Sequence, residues 1–459
     1  MKRYTFFRDP SNGRPFRGKP GDKGQNDNNP KGAPRYVLED VGNSSFIDDA
    51  GNVAWKGNVL SRRNDIAINA AIVFLDGDEE ELNEHDSSAL FWKIVGTISK
   101  KSPGKPISVT DFLREADPIV AAFFRQPSFD RIMVTSISLG NLPLKTIKVG
   151  DYRISPLTAR LPKFPYPDVL TSGGHDSAFG DHLRATKYRH VAVTTKGRSA
   201  NEALSRALTA LNVLRGVWTL YGTAGSWRYY LGTPQAQRIG TFHAGPIYTL
   251  HYPDGKLTPD NMYWHDGPNP REQSLFEDSK LWQGIEKRRG LALRRLDRLP
   301  YKQDLISLLN RYVGALDQLD PNVAFLQMWG ILERITNSIG KDYEKVIDRV
   351  LWVFAPEDRP SHREFLDALR FRRNQFVHSG NSTHEADQVA YLVKSYLDPH
   401  LLRLISNPFR VENLTEYAEY LALPFEKEKL QKRYRSAMKA MQFFKFTKPR
   451  PKRKDSQGK

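Results

Sequence analysis

The sequence predicts an α+β multidomain protein, with a mixed α/β N-terminal region followed by an all-α C-terminal helical bundle. Three observations carry that prediction. RIMVTSISL (131–139), KTIKVGDYRISPL (145–157) and HVAVTT (190–195) alternate or are β-branched, as half-buried strands are. From about residue 283 the apolar residues change to helical spacing and keep it to about 445. The two ends, residues 1–35 and 446–459, are rich in Gly, Pro, Asn, Lys and Arg and poor in apolar residues, so they read as basic arms without a fold of their own.

Residues 36–282 form the mixed region, as one domain or two subdomains. KPISVTDFLREADPIVAAFFR (105–125) reads as a helix capped by Thr110 or Asp111 and broken at Pro118. The acidic run DGDEEELNEHD (76–86) reads as a solvated loop. After HVAVTT a helix starts near Ser199, with Leu204, Ala207, Leu208, Leu211 and Leu214 on one face. SWRYYLGTPQAQRIGTFHAGPIYTLHY (226–252) reads as strands and turns. GGHDSAFGDHLRA (173–185) gathers His175, Asp176, Asp181 and His182, all metal-ligand types, but without a second cluster to complete a cage. No metal site and no cofactor is expected.

Residues 283–445 read as an up-and-down bundle. KQDLISLLNRYVGALDQLD stops at Pro321. NVAFLQMWGILERITNSIG carries Phe325, Leu326, Trp329, Leu332 and Ile335 at helical spacing. DYEKVIDRVLWVFA follows, then a helix capped by Ser361, then residues 384–407 broken near Pro399, and finally KEKLQKRYRSAMKAMQFFKF.

The 459 residues carry 69 Lys and Arg against 52 Asp and Glu, a formal charge of +17, so polyanions, and nucleic acid first, are the favoured partners. The chain has no cysteine, which excludes disulfides, thiolate zinc sites and cysteine nucleophiles. No uncharged apolar run approaches the ~20 residues of a membrane span, and no signal peptide opens the sequence, so a cytoplasmic protein without membrane contact is expected.

The helix SHREFLDALRFRRNQFVH ends in a polar knot of Arg372, Arg373, Asn374 and His378. Solvated side chains favourable to a helix C-terminus explain it blandly. The functional explanation starts from geometry. Asn374 and His378 are four apart and share a face, whereas Arg373 and His378 are five apart, about 140° around the helix. Two copies facing each other across a two-fold axis supply both groups to one cleft, with Phe376 and Val377 as apolar contacts. Histidine acts as general base or acid near neutrality, arginine clamps a phosphate, and asparagine donates to a phosphate oxygen or holds the imidazole. That set suits RNA cleavage in which the 2′-OH of the RNA is the nucleophile.

The pattern Arg373-Asn374-x-x-x-His378, on the penultimate long helix of a C-terminal bundle, resembles the HEPN domain, and within it the Apea-like HEPN group. RYVGALDQLDPNVAFLQMWGILERIT resembles that group's paired helices, with Leu332-Glu333 in the second, and the motif's tail VHSG fits as well. The resemblance spans roughly residues 290–445. It implies a metal-independent endoribonuclease acting as a homodimer in toxin or antiphage defence. Arg373 and His378 would be catalytic and Asn374 their polar companion; Arg372 is the alternative arginine. A phage or host trigger or an antitoxin would act through the N-terminal region. The competing expectation is a noncatalytic nucleic-acid-binding or scaffold protein that dimerises through the bundle.

Overall fold

The computed structural model describes residues 5–8, 15–16, 35–55, 72–76, 80–157, 188–222, 239–245, 247–258, 264–265, 275–338, 343–379 and 386–444. The metal-ligand types of 173–185 and the basic tail 446–459 lie outside them. The chain divides into two compact units, residues 1–211 with 244–277, and residues 212–243 with 278–459.

The first unit is mixed α/β. Its strands are β1 (Thr5–Arg8), β2 (Pro15–Phe16), β3 (Ser45–Ile47), β4 (Val53–Trp55), β5 (Ile72–Asp76), β6 (Glu80–Glu81), β7 (Phe129–Ile137), β8 (Ile147–Val149), β9 (Tyr152–Pro156), β10 (Arg189–Gly197), β11 (Ile247–His251) and β12 (Trp264–His265). Its helices are α1 (Arg35–Asn43), α2 (Glu84–Lys101), α3 (Val109–Phe124) and the first half of α4 (Ala200–Gly222). An antiparallel sheet runs in the order β12-β11-β7-β10-β9-β8, and a second in the order β2-β1-β5-β6. Phe74, Phe91, Ile94, Phe112 and Val120 fill the core between the second sheet and α2 and α3.

Several expectations are corrected here. Within residues 1–35, Thr5–Arg8 pairs antiparallel with β5, and the Thr5 N–H donates to Asp117 Oδ1 at 3.2 Å. The surrounding Gly and Pro hid this short strand in the average composition. Pro118 sits inside α3 without breaking it, because Phe112, Ala116, Val120 and Phe124 are buried on both sides of it. The cap is Ser108, whose Oγ accepts from the Asp111 N–H at 3.0 Å. The acidic run is not a loop throughout: Asn83 caps α2, and Glu84 and Asp86 fill its first turn, where negative charge complements the helix dipole. Residues 145–157 are a hairpin of their own, turning at Gly150 (φ 55°), where a left-handed backbone favours glycine. β7 pairs with β10 and β11.

The second unit is helical among its described residues. It holds the second half of α4, then α5 (Ser279–Leu296), α6 (Lys302–Leu316), α7 (Pro321–Ile335), α8 (Tyr343–Leu351), α9 (Arg359–Ser379), α10 (Ala386–Ser406), α11 (Leu414–Tyr420) and α12 (Lys427–Phe443). The sequence placed the division near 283, yet residues 212–243 belong here too. Arg215 explains how: it is 2 % exposed, and its Nε, Nη1 and Nη2 donate to Phe242 O, Asn212 Oδ1 and Asp317 Oδ1 at 2.9, 2.9 and 2.6 Å. A buried charge is tolerated only when paired and hydrogen-bonded in this way.

α7 is the centre of the bundle. Asp320 caps it with Pro321 at its first position, and it packs on α6 and α10 through Phe325, Met328, Trp329, Ile331, Leu332 and Ile335. α10 runs through Pro399 unbroken, since Leu397, His400, Leu401 and Leu404 are all buried. α9 begins at Arg359, two residues before the expected cap, and Ser361 Oγ donates back to the Asp358 carbonyl. Among the described residues no helix is long and apolar enough to cross a membrane.

Candidate functional site at the end of the ninth helix

α9 lies against α8, and its inward face carries Leu366 and Leu369, which are buried. Arg372, Arg373 and Asn374 follow on its last two turns and are half-buried. The backbone stays helical through His378 to Ser379, while the side chains of Val377 and His378 lie outside the described residues.

Arg373 reaches inward to α7 and α8. Its Nη2 lies 3.9 Å from Glu333 Oε1, and its guanidinium sits 5.2 Å from the centre of the Tyr343 ring. Its Nη1 donates to Asn374 Oδ1 at a long 3.4 Å. Glu333 is pinned from the other side by Trp329, whose Nε1–H donates to the same Oε1 at 2.9 Å. Burial pushes the Glu333 carboxyl above its ordinary value, and the Trp329 hydrogen bond and the Arg373 charge pull it back. One oxygen of this half-buried carboxylate thereby faces both an indole and a guanidinium.

This arrangement holds Arg373 in place without saturating it. A guanidinium has five donors, and the contacts with Glu333 and Asn374 are both long for charge-assisted bonds, which favour 2.7–2.9 Å. An oxyanion offered at hydrogen-bond distance would therefore compete well. The structure brings together Arg373 and Asn374, and joins them to Glu333, Tyr343 and Trp329. Glu333 entered the sequence reading through the Leu332-Glu333 pair. Trp329 and Tyr343 did not enter it as site residues. The usable signal was the i, i+4 spacing of Trp329 and Glu333, which places an indole donor beside a carboxylate on one helix.

Arg373 and residue 378 diverge around the helix, as five residues require. Arg373 belongs to the inward side, whereas residue 378 comes two turns after Phe371, which is 62 % exposed. Among the described side chains, the exposed positions of α9 are Pro360, Ser361, Glu364, Phe365, Ala368, Phe371 and Gln375, one continuous face. Phe376, expected as an apolar contact for a second copy, is half-buried; Phe365 and Phe371 are the exposed rings.

The chain matches no protein-family model, no curated protein and no solved structure.

Proposed function

We propose that this protein is a metal-independent endoribonuclease of the HEPN type, with Arg373, Asn374 and His378 as its site, and that it acts as a homodimer. The supporting observation is the half-buried, loosely paired Arg373, held by Glu333 and Tyr343 beside Asn374 on the helix that carries His378. In this reading His378 takes the proton of an RNA 2′-OH. The 2′-oxygen attacks the adjacent phosphorus, and the P–O5′ bond breaks. A protonated histidine returns a proton to the leaving 5′-oxygen, and a 2′,3′-cyclic phosphate remains. Arg373 stabilises the charge that develops on the phosphoryl oxygens.

The second copy follows from the outward face of α9. Ala368 lies between Phe365 and Phe371, a small centre flanked by two rings, with Gln375 a turn further on, and position 378 follows Phe371 by two helical turns. Packing α9 on its symmetry mate brings the two histidines near one axis. A cytoplasmic role as a toxin or antiphage effector, triggered or restrained through the N-terminal region, is part of the same proposal.

The test is cleavage of total RNA by purified wild type and His378→Ala in EDTA. The expected outcome is cyclic-phosphate ends from wild type and loss of cleavage in the variant. Equal rates would reject the assignment. RNA binding without cleavage by wild type would favour a noncatalytic binding module.

A further inference from the structure

α12 has no buried residue over its 17 positions, although an isolated helix of that length is marginal in water. Most of its apolar side chains fall on one stripe: Leu430, Tyr434, Ala437 and Met441, followed by Phe444 at the helix C-cap, alternate at spacings of four and three, whereas Phe443, 81 % exposed, lies off it. Tyr434, Met441 and Phe444 are 66, 56 and 65 % exposed. That alternation is the seam of a two-stranded coiled coil, two heptads long. The cations Lys429, Lys432, Arg435 and Lys439 lie off the seam, Lys427 stands at its N-terminal end, and the positions beside it hold Gln431, Arg433, Met438 and Ala440.

We propose that α12 pairs antiparallel with α12 of a second copy of this chain. Charge placement favours this occupant over a polyanion, because the exposed stripe is apolar with a single flanking cation. Volume selects the direction. Antiparallel pairing sets Tyr434 against the partner's Ala437 and Leu430 against the partner's Met441, so the large side chains of the central turns meet complementary ones, and Phe444 falls against the aliphatic stem of the partner's Lys427 at the end of the pairing. Parallel pairing sets Tyr434 against the partner's Tyr434 and leaves the two Ala437 side chains facing across a hollow, and interiors tolerate neither well. In the antiparallel register Arg433 adjoins the partner's Ala440 and Gln431 adjoins the partner's Met438, so no like charges meet. The helix dipoles also oppose each other favourably. The inference does not rest on the ribonuclease reading.

Two heptads bury less than the ~800 Å² per partner of a standard interface, so covalent trapping is a better measure of the pairing than dilution. The absence of cysteine gives a clean background. Full-length Leu430→Cys chains and Met441→Cys chains are oxidised separately and mixed. The expected result is a disulfide-linked dimer in the mixture and none from either variant alone, since 11 residues of helix, roughly 16 Å, separate equivalent positions along the seam. Adding Tyr434→Glu to both chains is expected to reduce the cross-linked fraction to that of the single variants. Self-linking of Leu430→Cys alone would overturn the antiparallel register. No link in the mixture would overturn the pairing, and sedimentation of α12-intact protein with phosphatidylserine vesicles or RNA in that case would assign the stripe to another occupant. All substituted positions are exposed, so folding is not at stake. Loss of the link with cleavage retained separates this inference from the activity.

Discussion

The two ends of α9 use the same residue types in opposite ways. At its N-terminal end, Arg359 donates through Nε to Leu351 O and Phe354 O at 3.1 and 3.0 Å and lies over the Phe425 ring. His362 Nδ1 meets the Tyr396 hydroxyl at 3.0 Å. Arg363 pairs with Glu344 and Asp348, and Arg370, in the middle of the helix one turn before Arg373, pairs with Glu344 and Asp367. At the C-terminal end, Arg373 has one carboxylate at 3.9 Å and one amide at 3.4 Å. Arg359, Arg363 and Arg370 are paired with close acceptors, whereas Arg373 is oriented and left with donors to spare, as the proposed phosphate-binding role requires. Residue type alone does not distinguish the two; the number and length of the contacts do.

The largest effects should appear where that comparison is broken. Arg373→Ala is expected to lower RNA cleavage by about 10²–10³-fold, the usual cost of losing an oxyanion donor, with little change in thermal stability. Arg370→Ala is expected to leave cleavage unchanged. If both variants lose activity equally, Arg373 has no special role. Mixing Arg373→Ala chains with His378→Ala chains tests the shared site: partial rescue is expected, because each chain keeps the group the other lacks.

A buried histidine in the same bundle sharpens the contrast through pH. His400 is fully buried; Nε2 meets Val350 O at 3.2 Å and Nδ1 meets the Tyr417 hydroxyl at 3.0 Å. Burial pushes its pKa down to about 4. Between that value and the ~6.5 of an unfolded histidine, only the unfolded chain binds the proton, so stability is full above pH 6.5 and falls as the solution is acidified. The loss should reach about 3 kcal/mol by pH 4. His400→Gln should flatten that part of the stability profile in urea titrations, while the pH dependence of cleavage stays with His378.

Much of this bundle could be read from the sequence, because its helices are long and its apolar spacing is regular. The proposed motif of Arg373, Asn374 and His378 is local, lying within six positions of one helix. What failed did so for physical reasons. Pro118 and Pro399 lie inside helices because burial on both sides outweighs one missing hydrogen bond and a steric kink. Residues 212–243 join the helical unit through Arg215 and Asp317, which are 102 positions apart. No local pattern encodes such a contact. The same holds for the Arg373 site, whose holders Glu333 and Tyr343 sit 40 and 30 positions upstream. α11 was missed because seven residues give too little periodicity to detect.

Glu333 offers a finer test of what holds Arg373. Glu333→Gln keeps an oxygen for the Trp329 N–H and removes the charge facing the guanidinium. About a tenfold loss of cleavage at unchanged stability is expected, the range seen when a supporting partner of a functional side chain is removed. An unchanged rate would show that Tyr343 alone suffices to orient Arg373.

The smallest effect is expected from Glu344, the carboxylate that Arg363 and Arg370 share on α8. Glu344 and Asp348 are about 60 % exposed and Arg363 is 39 % exposed, so water and salt screen these pairs. Exposed pairs contribute between 0 and about 1 kcal/mol, and Glu344→Ala should cost no more than that. The deficit should shrink as salt is raised past the point where the screening length falls below ~10 Å. Glu344 nevertheless adjoins Tyr343, which faces Arg373 across the gap between α8 and α9. If α8 is held mainly by its buried Val346, Ile347 and Val350, Tyr343 keeps its place and cleavage is unaffected. A parallel loss of cleavage and stability would mean that the saturated end of α9 positions the open end through α8, and that the two uses of arginine on this helix are coupled.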